Sequence, residues 1–77
     1  MPVHTVLILD ASEHGLRART SGPVRVGNEV QVDIGEASLL GTARYCREID
    51  EGVYNVGLSV SRGEDTPGGG IVGALKV

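Results

Sequence analysis

Apolar residues fall at every second position along most of this chain, and turn residues break the pattern at roughly ten-residue spacing. Leu16, Ala18 and Thr20 alternate with Arg17 and Arg19, which predicts a half-buried strand with a basic outer face. Val30, Val32 and Ile34 alternate with Gln31 and Asp33 in the clearest strand pattern of the chain. Tyr54, Val56, Leu58 and Val60 form one apolar face opposite Asn55 and Ser59. Two segments are less regular. In Val3 to Leu9, Val6 and Ile8 share one side while Leu7 and Leu9 share the other, so a central strand or one covered by another element is expected. Leu39 to Ile49 is long for a strand, and the alternation places Leu39, Gly41, Ala43 and Tyr45 inward. Turns fall at Ser21-Gly22-Pro23, at Gly27-Asn28 after Val24 and Val26, at Gly35-Glu36 and at Asp50-Glu51-Gly52. No amphipathic helix pattern is present. Short strands with glycine-rich turns predict an all-β fold, an antiparallel barrel or sandwich.

The end of the chain reads differently. Residues 61–70 are polar and finish in Gly68-Gly69-Gly70, a flexible linker by composition. Ile71, Gly73, Leu75 and Val77 then share one side of a short strand or tail, with Val72, Ala74 and Lys76 on the other. The expected organisation is a β-domain over 1–60 and a linker with a short C-terminal segment over 61–77.

Size narrows the picture. At 77 residues the chain is one domain. Its core would rarely supply more than about 3–5 kcal/mol of net stability without a staple or a partner. A single cysteine, Cys46, allows no intrachain disulfide, and with two distant histidines it makes no zinc pattern. An unpaired, structural cysteine suits a reducing compartment, so a cytoplasmic location is expected. The net charge of −3 argues against a nucleic-acid polymer as partner, because that affinity comes mainly from Lys and Arg on phosphates. No Phe or Trp is present, so base-stacking platforms are scarce. No apolar run approaches the length of a membrane span, and no signal peptide is evident. Without a nucleophile motif, paired carboxylates or a phosphate loop, no enzyme, metal site or cofactor is expected. His14 reads as an exposed loop residue.

Chemistry concentrates in one hairpin loop, Asp10-Ala11-Ser12-Glu13-His14-Gly15. Asp10 can accept backbone N–H bonds where the strand ends, and Ser12 can do so more weakly. Gly15 can take a positive φ where the chain turns back. These three choices can be explained by the turn alone. They also carry a resemblance. Asp10-x-Ser12-x-x-Gly15 followed by Leu16-Arg17 resembles the second half of the signature of PilZ domains, small bacterial β-barrels, many of which bind cyclic di-GMP. Gly27-Asn28-Glu29-Val30-Gln31-Val32, Leu40-Gly41-Thr42-Ala43-Arg44-Tyr45 and Tyr54-Asn55-Val56-Gly57-Leu58-Ser59-Val60 are similar to later strands of that family, in the family's order. The similarity spans about residues 5–60 and rests on the four motifs together.

The resemblance implies a small antiparallel PilZ-like β-barrel with Asp10, Ser12 and Gly15 as the base-facing half of a cyclic di-GMP site. The family's Arg-x-x-x-Arg element, which grips phosphate, has no counterpart in the nine residues before Asp10, and the family's first strand is missing too. Arg17 and Arg19 read as a solvated strand face or a makeshift phosphate contact; their position does not match the family's arginines. The function implied is a signalling adaptor that works mainly through protein contacts, with weak or absent nucleotide binding. The alternative is a true cyclic di-GMP receptor whose arginines come from elsewhere. A missing strand leaves two open edges, which the C-terminal segment would fill in its own barrel or in a neighbour's. A homo-oligomer, most simply a dimer, is therefore expected.

Overall fold

The computed structural model describes residues 3–62 and 71–76. Six antiparallel strands close into a barrel: β1 (Val3–Ala11), β2 (Gly15–Thr20), β3 (Glu29–Ile34), β4 (Ala37–Asp50), β5 (Val53–Arg62) and β6 (Ile71–Lys76), in spatial order β1-β2-β5-β4-β3-β6. No helix occurs among the described residues. The all-β fold expected from the alternation therefore forms, as a barrel rather than the sandwich that the alternation left open.

Each regular strand keeps its period of two. Leu16 and Ala18 on β2, Val30, Val32 and Ile34 on β3, and Val56 and Leu58 on β5 are buried in the barrel interior with Val6, Ile8, Leu39 and Ala43. The core cluster is aliphatic, Thr20 is the one buried polar residue among those described, and Tyr54 and Val60 pack on the core only partly buried. In a small barrel, side chains fill the whole lumen and leave no channel. Val24, in the β2–β3 connection, is 3% exposed and belongs to the same core cluster. Two-residue loops make the tight hairpins. Gly35 and Gly52 sit there at φ of 59° and 71°, a region where a Cβ is strained.

The open edges expected of a missing strand are not found. β6 pairs with β1 over Val3 to Ile8 on one side and with β3 over Gln31 to Asp33 on the other. Leu75 is the inward residue of this closing strand and is fully buried. The C-terminal segment thus fills the gap in its own barrel, and the edge argument for self-association loses its edge. β5 runs through Arg62, two residues into the stretch read as linker; residues 63–70 and Val77 lie outside the described residues.

β1 is a central strand, one of the two alternatives expected of it, paired with β2 and β6, and its outer face is not covered: Leu7 is 37% exposed, opposite Val72 at 64%. One expectation is corrected here. Tyr45, assigned inward, points outward and is 44% exposed. The cause is a register shift between Ala43 and Tyr45, where Arg44 has no partner on β5. One extra residue in a strand flips the face of everything after it. Cys46 takes the inward place instead, packs on the core and accepts a 3.5 Å hydrogen bond from the Val24 N–H.

A polar cluster pins the β3–β6 seam on the outside. Lys76 Nζ lies 2.8 Å from Asp33 Oδ2, and Gln31 Nε2 and Ser38 Oγ each donate to Asp33 Oδ1 at 2.9 Å. Lys76 first, then Gln31 and Ser38, hold the Asp33 carboxyl at about 2, below its ordinary 3.8. A carboxylate depressed in the folded state contributes stability above its unfolded pKa and loses it as the pH falls through the folded one. Asp33→Asn should lower the melting temperature at neutral pH and make its decline shallower on acidification from about pH 4 towards pH 2. A variant whose acid limb matches the parent's would remove Asp33 from the seam.

Closure makes a second prediction. Leu75→Ala should destabilise by about 2–5 kcal/mol, as buried leucine truncations do. Val72→Ala, on the outer face of the same strand, should stay within about 0.5 kcal/mol. Equal shifts of the denaturant midpoint for the two would show that β6 does not close the core.

Candidate functional site

Strand register decides which side chains share the surface beside the Asp10–Gly15 loop. On β1 the pairing shifts between Ile8 and Asp10, so Leu9 is the extra residue. Without that bulge Asp10 would share the inward parity of Ile8. With it, Asp10 lies opposite Arg17, whose neighbour Ala18 is buried, so both charged groups face out. The β4 bulge at Arg44 does the same for Tyr45, which lies opposite Gly57. Arg17, Gly57 and Tyr45 therefore form one row across β2, β5 and β4.

Gly57 makes that row possible. A Cβ there would lie within the Tyr45 ring, so only a bare backbone lets the aromatic side chain cover β5. The Arg17 guanidinium sits between two partners. Its Nε donates to Asp10 Oδ2 at 2.8 Å, and its Nη2 makes a second, shorter contact with the same oxygen. Asp10 and, to a smaller degree, the Tyr45 phenol push the Arg17 pKa up. Reciprocally, the hydrogen bond from Arg17 holds Asp10 below the ordinary carboxylate value.

Asp10, Ser12, Gly15, Arg17, Arg44 and Tyr45 line one open cleft of about 360 Å³ with His14 and Ser59 at its rim. The three motif residues are thus brought together, and each behaves differently from the turn reading. Asp10 takes the arginine of the facing strand in place of backbone N–H groups. The Ser12 hydroxyl donates to the Gly15 carbonyl at 3.4 Å, beside the Ser12 N–H, which donates to the same oxygen at 2.7 Å. Gly15 does not adopt a positive φ: it is the first residue of β2, paired with Ser59. The turn is completed before it, and the His14 carbonyl accepts from the Val60 N–H at 2.9 Å. His14 is solvent-exposed, 3.9 Å from Glu13.

Sequence reasoning passed over Arg44 and Arg47 and assigned Tyr45 to the wrong side. One signal was available: a mid-strand glycine such as Gly57 marks a bulge or a close approach nearby. Among the described residues no cluster of three or more His, Cys, Asp or Glu could hold a metal ion, and no helix is long and apolar enough to cross a membrane. Compared with family models, curated proteins and solved structures, the chain matches none.

Two strand glycines, Gly15 in the cleft and Gly41 on β4, make opposite predictions. At Gly15 an added Cβ would meet the Leu58 carbonyl at an ordinary 3.4 Å, whereas at Gly41 it would meet the Ser59 carbonyl at 2.5 Å. Gly15→Ala should leave the denaturant midpoint unchanged or raise it, since alanine costs less entropy in a strand by about 0.5–1 kcal/mol. Gly41→Ala should destabilise by about 1–3 kcal/mol through the backbone clash. A Gly15→Ala loss as large as that of Gly41→Ala would return a strained backbone to the loop.

Proposed function

We propose that the chain is a PilZ-like regulatory module that works through contacts with another protein and binds cyclic di-GMP weakly or not at all. The Asp10–Arg17 pair carries this reading. In the site that the resemblance implies, the Asp and Ser of the loop read the base edge. Here the Asp10 carboxylate is already engaged by a guanidinium from the facing strand. A base that binds there exchanges the two guanidinium contacts of that carboxylate for bonds from an uncharged donor, so the net gain is small. Ser12 likewise spends its hydroxyl proton on its own loop.

A second reading has an observation of its own. Arg44, set outward by the bulge, lines the same cleft as Ser12 and Gly15 and has no ion-pair partner among the described residues. Arg17 and Arg44 would then be the phosphate-gripping arginines of a true cyclic di-GMP receptor, supplied from β2 and β4.

Calorimetry with cyclic di-GMP separates the two. The expected result is no binding tighter than about 10 μM at physiological salt. Sub-micromolar affinity that Arg44→Ala weakens by about tenfold or more, ~1.4 kcal/mol, would establish the receptor reading instead.

A further inference from the structure

The outer face of β2, β5 and β4 gathers positive charge that its own chain leaves largely unneutralised. The row Arg17–Gly57–Tyr45 is followed by the row Arg19–Asn55–Arg47, and Arg44 stands beside Tyr45 at the bulge. Seven Lys and Arg serve the whole chain against ten Asp and Glu, yet four of the seven are on this one face. Asp10 engages Arg17, and Arg19 Nε donates to Asn55 Oδ1 at 3.2 Å. Among the described residues neither Arg44 nor Arg47 has an ion-pair partner, and both are exposed.

The relief of this surface suits a docked chain. The cleft of about 360 Å³ beside the loop and a second open one of about 510 Å³ meet at Arg17 and Tyr45. An exposed aromatic therefore stands between two basic depressions, with Ile49, 43% exposed, further along β4. We propose that this face docks a carboxylate-rich segment of a partner protein. The proposal rests on the protein-contact reading above and names its partner class.

Charge complementarity selects the occupant. A guanidinium takes a carboxylate in a planar two-point contact, and an arginine face in an otherwise acidic protein favours a local acidic partner. Arg19 and Arg47 flank β5 and so lie about two strand spacings, ~10 Å, apart. An extended segment rises ~3.3 Å per residue and turns every second side chain to the same face, so acidic side chains two or four residues apart, ~7 or ~13 Å, bracket the separation that the long arginine side chains span. A long polyanion fits less well: Glu48, Asp50 and Glu51 stand exposed at the end of the same hairpin and repel it. Strand addition is not the mode here, since β2, β5 and β4 are paired on both sides.

The test is a titration of the isotopically labelled full chain with octaglutamate peptide at low salt, followed by amide and arginine side-chain resonances, with an eight-nucleotide oligothymidylate in parallel. Octaglutamate should shift signals of Arg17, Arg19, Arg44, Arg47 and Tyr45, and added salt should weaken it. The double variant Arg44→Glu, Arg47→Glu should lose about tenfold or more in affinity. Arg25→Glu, at a position lining neither cleft, should bind like the parent. If the double variant does not fold, Arg47→Gln removes one charge at nearly constant shape and should weaken binding alone. Absence of binding, shifts elsewhere on the barrel, an equal loss in Arg25→Glu, or tighter binding of oligothymidylate would each overturn the proposal. If octaglutamate fails while cyclic di-GMP binds no tighter than about 10 μM, the acidic-partner assignment falls and the protein-contact reading stands. Sub-micromolar cyclic di-GMP binding removes that reading and the proposal with it.

Discussion

The fold depends on one constraint: a sheet this small must leave no edge unpaired. A strand edge exposes backbone N–H and C=O groups whose loss from water is repaid only by pairing. Five strands from the first 62 residues leave β1 and β3 each with one free edge, and β6 satisfies both. Closure also completes the interior. Leu75 enters a lumen lined by Val6, Ile8, Val32 and Leu39, and without it those side chains would face an opening to water. Backbone pairing and apolar burial are thus supplied by one six-residue segment. The β3–β6 ladder is only three residue pairs long, which is why the Asp33–Lys76 contact and its two neutral donors matter at that seam.

The surface follows from departures from the regular ladder. An unbroken period of two would have placed Asp10 and Tyr45 inward, where a carboxylate and a phenol would need buried partners. A bulge in β1 and another in β4 turn both residues out to the same side, on either side of Arg17. Apart from the buried Thr20, the barrel interior stays aliphatic because Asp10 and Tyr45 have been re-aimed, and the re-aimed groups help line the cleft. Bulges are over-represented where a strand must present a side chain in a new direction. Gly57 is the matching feature on β5, since the outward Tyr45 needs a backbone it can lie against.

This division explains what was legible in the sequence. β2, β3 and the core face of β5 could be read because Leu16, Ala18, Val30, Val32, Ile34, Val56 and Leu58 keep strict alternation. The closing segment could be recognised as a strand from its weak alternation. Its place between β1 and β3 depends on contacts distant in sequence, which alternation does not encode. The bulges were hidden for a local reason. Leu9 is apolar and suits either face, and the parity of β4 reads equally well with Tyr45 or Cys46 inward. The hairpin loop forms where expected, but the turn roles given to Asp10 and Gly15 are not the ones they take. Residue types at Asp10, Ser12 and Gly15 fit a turn, whereas the partner that decides the role of Asp10 lies across the ladder at Arg17.

Arg17 joins the two surfaces discussed above. It belongs to the loop cleft through Asp10 and to the arginine face through Tyr45 and Gly57. Lys76 shows the contrasting case: its charge is committed to Asp33 and serves the seam. Arg44 and Arg47 serve no seam among the described residues. Arg17 lies between these extremes, held by a single exposed carboxylate in an ion pair of the kind that solvent and salt weaken. A ligand or partner that captured the Asp10 carboxylate would release the guanidinium towards Tyr45, and one that captured the guanidinium would free Asp10 for the loop. A ligand at the loop and a partner at the face would therefore draw on the same pair of charges, and coupling between them would need no movement of the barrel.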